Sequence, residues 1–203
     1  MDRIPSAGGH DDHALIEALG IAQRLGVIGA TELSDEIAHA RGFVTALEEL
    51  STGSLVLDIG SGGGLPGLVI AHDRPDVSVT LVDRREKRTD ILRRQVGRLR
   101  VDRPELEIVV KCADVTDHSA LRGLWHAVTA RSFGSPEVVL AAAAPHLVDG
   151  GLLVVSDPPG NTSVDRWRTE ILTTQGFERS MSPTTAPWVS VMRRRHSLFP
   201  GKQ

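Results

Sequence analysis

Between residues 13 and 25 apolar side chains return at helical spacing, at Ala14, Leu15, Ala18, Leu19, Ala22 and Leu25, which predicts a first helix with one face on a core. Residues 1–11, with their Gly, Ser, Pro and acids, read as a flexible lead. The period stops between Gly26 and Gly29. Ser34 is then placed to N-cap a second helix whose inner face is Ile37, Ala40, Val44, Leu47 and Leu50, and Gly53 closes that section. From residue 54 short apolar runs alternate with helical segments. The runs predict strands at 54–59, 77–82, 106–111, 126–130 and 151–156, with helices near 65–73, 85–100, 135–147 and 164–175 between them. Such alternation builds βαβ units with right-handed crossovers and hence a doubly wound parallel sheet. Two last runs, 177–181 and 188–193, are separated by Pro183 and Pro187 and predict an antiparallel edge. The expectation is an α/β, Rossmann-like, mostly parallel seven-stranded sheet over 53–203, with residues 12–52 packed on it as N-terminal helices.

Composition adds limits. The 203 residues are enough for one domain with its own core. With 40% hydrophobic and 24% charged residues the chain is neither a disordered segment nor a coiled coil. The longest apolar run, 138–145, is far below the roughly 18 residues a membrane span requires. No secretory pattern opens the chain, and the single Cys112 has no partner for an internal disulfide. Both point to the cytoplasm. A net charge of −3 gives no global basic field. From 84 to 103, however, nine Arg or Lys face three acids, and Arg193, Arg194 and Arg195 stand together near the end. On the helix after Asp83 the apolar face is Leu92, Val96 and Leu99. Arg84, Arg85, Arg88, Arg94 and Arg98 therefore point outward, as a solvated surface or as a phosphate-contacting one.

The chemistry concentrates where the first strand ends. In Asp58-Ile59-Gly60-Ser61-Gly62-Gly63-Gly64-Leu65-Pro66-Gly67 a strand runs into a glycine-rich turn and then a helix. Glycines let backbone approach a ligand, Pro66 suits a first helical turn, and the helix N-terminus offers free N–H groups. A dinucleotide fingerprint, G-x-G-x-x-G counted from Gly60, fails at Leu65. The pattern D-x-G-x-G-x-G does fit, through Asp58, Gly60, Gly62 and Gly64, and it resembles the first motif of the S-adenosylmethionine-dependent methyltransferases. In that class the loop holds the methionyl end of the cofactor, and Asp58 orients the loop or the cofactor's amino group. The second strand ends in Asp83, 25 residues after Asp58, where an acid accepts from both ribose hydroxyls and also caps the following helix. Asp114 follows the third strand. Alone it is an ordinary turn residue; in this class the matching loop lies along the adenine.

The segment Gly60 to Gly67, the run Thr80-Leu81-Val82-Asp83 followed by Lys87-Arg88, and Thr129-Ala130-Arg131-Ser132-Phe133 together resemble the glucose-inhibited division protein B family. Its members are 16S ribosomal RNA guanine-N7 methyltransferases. The likeness runs from about His39 to the closing Val189-Ser190-Val191-Met192-Arg193. It implies cofactor contact at Gly60, Leu65, Ala113, Asp114 and Arg131, and 16S rRNA in the small ribosomal subunit as partner. Arg131 ends the fourth strand on the edge where open α/β sheets bind ligands; by itself it reads equally as a surface ion pair. The chain departs from the family at Cys112, where an Arg is usual, at Ser156-Asp157, where Lys-Gly is usual, and at Gly42-Phe43, where Asp-Ser is usual. A small molecule or a protein as acceptor, or a cofactor-binding module without catalysis, are the alternatives these departures leave open.

Methyl transfer to guanine N7, which bears a lone pair and no proton, needs alignment rather than a general base. No catalytic dyad is evident in the sequence. Cys112 reads as a small buried residue rather than a nucleophile. Residues 157–160 imitate a D-P-P-aromatic motif but stand after the wrong strand and end in Gly160, so they read as a rigid loop. Phe43, Phe133 and Trp188 are the rings available to stack on a base, though each reads more often as core than as platform. His10 and His13 beside Asp11 and Asp12 lack the fixed geometry of a metal site, and no metal is expected.

Overall fold

The computed structural model describes residues 11–117, 121, 123–158, 166–180 and 188–196. Two helices, α1 (His13–Arg24) and α2 (Leu33–Ala46), precede the sheet. Then follow β1 (Leu55–Ile59), α3 (Gly67–Asp73), β2 (Ser78–Asp83), α4 (Glu86–Asp102), β3 (Ile108–Cys112), β4 (Trp125–Ala130), α5 (Pro136–Ala143), β5 (Leu147–Ser156), α6 (Thr169–Thr174), β6 (Phe177–Arg179) and β7 (Val189–Arg194). The strands lie in the order β3-β2-β1-β4-β5-β7-β6. The first five are parallel, and β7 runs antiparallel to both β5 and β6. The order reverses between β1 and β4, so the C-terminal ends of these two strands open a crevice at the topological switch point, where such sheets bind ligands.

Each face of the sheet has its own core. On one, α1 and α2 contribute Leu15, Leu19, Ile37 and Phe43, which pack with Val56, Leu68 and Leu81 and with Leu92, Val96 and Leu99 of α4. On the other, Leu57, Ile59 and Val128 meet Leu140 of α5, Trp167 and Phe177. The alternation along β1 divides these two sets, because successive strand side chains point to opposite faces. Among the described residues no helix is long and apolar enough to cross a membrane.

Boundaries differ from the pattern-based expectation where local chemistry intervenes. Leu25 lies beyond the end of α1 and is 53% exposed. α2 begins at Leu33, so Ser34 is inside its first turn rather than capping it; Val44 and Leu50 are only partly buried. The helix expected at 135–147 stops at Ala143 and tightens into a 3-10 turn at Ala144–His146, because Pro145 lacks the N–H that would continue the α-helical ladder. β5 accordingly starts at Leu147, with a register shift opposite Trp125 and Ala127. Cys112 is exposed rather than buried: it is the last residue of β3, at the edge of the sheet. Residues 164 and 165 of the expected helix, residues 180–181 past the three-residue β6, and His10 divide similarly: Ser180 bonds back to Val191, while 164, 165, 181 and His10 lie outside the described residues.

Leu19, with no exposed surface, joins α1 to the core beneath α4. Leu19→Ala is expected to cost about 2–5 kcal/mol and to lower the midpoint of a single denaturant transition. A separate early transition for the N-terminal helices would contradict this shared core.

Candidate functional site

The turn that leaves β1 is fixed from three sides. Gly60 has φ +68°, a conformation that L side chains rarely adopt, and a Cβ placed there would meet the ring of Phe133 at 2.7 Å. Ser61, wholly buried, donates its hydroxyl to the Asp58 carbonyl at 2.8 Å while accepting the Val82 N–H at 3.0 Å. Its own N–H donates to the Val82 carbonyl at 2.9 Å. One serine thus joins the ends of β1 and β2. Gly62 donates its N–H to Asp83 Oδ2 at 3.2 Å, and the Gly63 carbonyl accepts from the buried Gln95 amide at 2.8 Å. Gly64 bonds back to the Ser61 carbonyl at 2.7 Å, and Leu65 is buried. Ile28, from the link between α1 and α2, presses on Gly63 so closely that a Cβ there would lie 2.6 Å from it.

Asp58 sits under this turn with no solvent exposure. Thr129 of β4 donates to its Oδ1 at 2.7 Å; Oδ2 faces Gly67 and has no partner among the described residues. Burial pushes the Asp58 carboxyl up to about 6, against the lowering effect of Thr129 and neighbouring donors. Of the two roles open to it from sequence, its geometry is that of a support for the loop.

Above the strand ends lies a cleft of about 730 Å³, a size suited to a small-molecule ligand. Gly60, Asp83, Ala113 and Asp114 line it, with Val82 and Val115 on one side and Val138 and Ala141 of α5 on the other. Asp83 is buried and accepts from the Gly62 N–H and, through Oδ1, from the Arg85 N–H at 2.9 Å. A carboxylate has about four lone-pair positions, so it retains capacity toward the cleft. Asp114 accepts the N–H and hydroxyl of Thr116 at 2.9 and 2.7 Å, and those bonds hold its carboxyl below the usual range. Apolar walls with two acids at one end match a nucleoside, whose base is flat and whose ribose presents hydroxyl donors.

The remaining candidates divide. Gly62, Gly64 and Leu65 shape the turn without lining the cleft, and Asp58 supports it from below. Arg131 is also outside the cleft lining: its Nη2 donates to Glu36 of α2, while Nη1 is buried and unpartnered among the described residues. The pairing partner is an element the strand-end pattern does not point to. Phe43 is in the core with no exposed surface, which removes it as a stacking platform. Trp188 stacks on His39 with ring centroids 5.4 Å apart, and Phe133 alone of the three lines the cleft. Ser132, before it, has φ +53°. Asp157 is buried and bonded to Ser190, to Trp167 Nε1 at 2.9 Å and to Arg166 at 3.1 Å; Pro159 and Gly160 lie outside the described residues. Asp12, His72 and Asp73 converge, but Arg41 already bridges the two acids at 2.6 and 2.8 Å. On α4, Arg98 pairs with Glu17 and Asp102, and Arg93 with Asp90; Lys87 and Arg94 are exposed. The tail arginines are engaged as well, Arg193 with Glu49 and Arg195 with Glu178.

The family model described as rRNA small subunit methyltransferase G matches residues 17–171. A ribosomal RNA small subunit methyltransferase G from Sorangium cellulosum is 32% identical over 166 residues, which cover 76% of this chain and 69% of that protein. One from Leptothrix cholodnii is 33% identical over 148 residues, covering 68% and 65%. The chain therefore spans about two thirds of the length of these relatives. Among solved structures, a protein from Agrobacterium tumefaciens described as a predicted O-methyltransferase superposes with a TM-score of 0.59 at 22% identity, covering 77% of this chain and 81% of that one; the likeness is one of fold.

The raised pKa of Asp58 yields a measurable consequence. An unfolded chain releases this proton near pH ~4, whereas the folded chain holds it to about 6, so stability from this group is present at low pH and is lost as pH rises through 6. Asp58→Asn is expected to match the wild type near pH ~4 and to exceed it above pH ~7 by on the order of 3 kcal/mol. Urea unfolding across that range checks it; a difference independent of pH would contradict the assignment.

Proposed function

The chain belongs to the rRNA small subunit methyltransferase G family, and from that premise we propose that it transfers a methyl group from S-adenosylmethionine to small-subunit ribosomal RNA, at N7 of a guanine in 16S rRNA. The observation that carries the cofactor half is the single cleft in which Gly60, Asp83 and Asp114 meet at three consecutive parallel strand ends. The residues present fit the cofactor: a backbone with no room for a Cβ at Gly60, a buried carboxylate at Asp83 for the ribose hydroxyls, and apolar walls for the base. Asp114 would accept from the adenine amino group, with Ala113 beside it in the cleft lining. Bound there, S-adenosylmethionine supplies an electrophilic methyl group on a sulfonium.

The protein's own contribution is alignment and exclusion of water. N7 of guanine carries its nucleophilic lone pair without a proton to remove, so an in-line approach suffices. The exposed Lys87 and Arg94 on α4, with Arg84 and Arg85 at the cleft mouth, supply the cationic surface that RNA phosphates require.

A second reading, with a small molecule or a protein as acceptor, draws on one observation. At the end of β5 stands Asp157, a buried acid already engaged by Arg166, Trp167 and Ser190, where a cation facing RNA would otherwise be available.

Two measurements separate these claims. S-adenosylhomocysteine should raise the thermal midpoint where NAD does not, and Asp83→Ala should weaken its binding by about tenfold or more; equal binding by that variant would dismiss the cofactor placement. Nucleoside mass spectrometry of 16S rRNA from cells with and without the gene tests the acceptor. Loss of 7-methylguanosine is expected, and an unchanged level alongside intact S-adenosylhomocysteine binding would shift the assignment to the second reading.

A further inference from the structure

Arg131 leaves β4 directly beside the glycine turn, since Ala130 pairs with Ile59 and Gly60 is the next residue of the neighbouring strand. Its side chain is three-quarters buried. A guanidinium carries five N–H donors on a rigid plane and stays charged throughout the accessible pH range. Glu36 takes up one edge, through Nη2. The other terminal nitrogen, Nη1, is out of contact with solvent and has no acceptor among the described residues. A buried donor of this kind is costly to leave unmatched, and a charged one more so.

Glu36 is itself held. Thr31 donates its hydroxyl to Glu36 Oε1 at 3.0 Å, and against the raising effect of burial the hydrogen bond and charge of Arg131 hold the Glu36 carboxyl below the usual range. One turn further along α2, His39 stacks on Trp188, whose indole N–H donates to the His39 carbonyl at 3.2 Å. That contact anchors this face of α2 to the residue preceding β7. The carboxylate that meets Arg131 therefore comes from a fixed position on an element outside the strand-end motif.

Resting on the S-adenosylmethionine reading, we infer that Glu36 is a positioning residue for the cofactor: it holds the Arg131 guanidinium by Nη2 and leaves Nη1 to receive the carboxylate of the cofactor's amino-acid end. That carboxylate is the one anionic group S-adenosylmethionine has, and with the nucleoside held in the cleft the amino-acid end would reach toward the turn. Two carboxylates on two edges of one guanidinium give each a charge-assisted bond. Without Glu36, Arg131 would have to be ordered at the moment of binding, with the entropy cost of fixing a long side chain.

Calorimetric titration of the full chain with two ligands tests this. S-adenosylhomocysteine carries the amino-acid carboxylate; 5′-methylthioadenosine keeps the nucleoside and the thioether and lacks that end. Glu36→Ala should lower affinity for S-adenosylhomocysteine by about tenfold while leaving affinity for 5′-methylthioadenosine within about twofold. Glu36→Gln, which retains an acceptor at the same reach, should recover part of the loss, and Arg131→Ala should show the same selectivity as Glu36→Ala. A parallel fall for both ligands would make Glu36 merely structural and overturn the inference. Unchanged or tighter S-adenosylhomocysteine binding by Glu36→Ala would also overturn it, since Glu36 would then be a bystander or a competitor for Arg131. Should the wild type bind neither ligand, the cofactor reading itself fails and this inference with it; binding by the wild type with no selectivity in the variants defeats the inference alone.

Discussion

A carboxylate with no access to solvent, Asp58, is the constraint around which the strand ends are organised. Burying an acid is unfavourable unless its oxygens are matched; Oδ1 is matched by Thr129 on the neighbouring strand, while Oδ2 lies against the start of α3 at Gly67 without a partner among the described residues. Gly67 has to be glycine there, because a Cβ would lie 2.8 Å from Asp58 Oδ2 and 2.2 Å from Leu81. The acid therefore fixes three things together: the register of β1 on β4, the depth at which α3 begins, and the height of the turn between them. Ser61 extends the same network to β2, and Asp83 closes it by accepting from Gly62. The cleft floor is then a rigid, hydrogen-bonded layer, which lets it present backbone and carboxylates to a ligand without reorganising.

Much of this layer could be read in the chain because its parts are local in sequence. A strand, a glycine turn and a helix follow one another within about a dozen residues, and period-2 and helical patterns switch at their junctions. Asp83 and Asp114 were legible for the same reason, each standing where an apolar run stops. Ser61 occupies a spacer position in the motif, and no pattern distinguishes a serine that bonds two strands from one that faces water. The role of Glu36 was equally hidden. It pairs with a residue 95 positions away, and only the packing of α2 on the sheet brings the two together. Cys112 departs from its expected burial because apolar character near a strand end does not say which side of the layer it meets, and for Phe43 the same ambiguity left core and stacking platform both open. Cys112 stands at the outermost strand and is exposed, whereas Phe43 turns inward on α2.

The acceptor side is less constrained by such local rules. The end of β5 closes on Asp157, whose charge is answered by Arg166, and Arg166 in turn donates to the Gly134 carbonyl at 3.2 Å. This connects the β5 end to the turn that carries Ser132 and Phe133 along the cleft wall. A cation is thus present at this edge, but it arrives from the segment before α6 and is held in an ion pair. It serves first to join two loops.

The N-terminal helices are part of the site rather than an appendage to it. Ile28 rests on Gly63 from outside the turn, Arg88 of α4 reaches the Val27 carbonyl, and Glu36 meets Arg131. All three contacts come from within 27–36, a stretch that packs over the loop and the adjoining strand end. The glycines at 60–64 gain from the absence of side chains only if something fills the space on the far side, and Ile28 does so. Without α1 and α2 the turn would lose its backing at Gly63 and Arg131 its partner, so this side of the site depends on residues that precede the first strand.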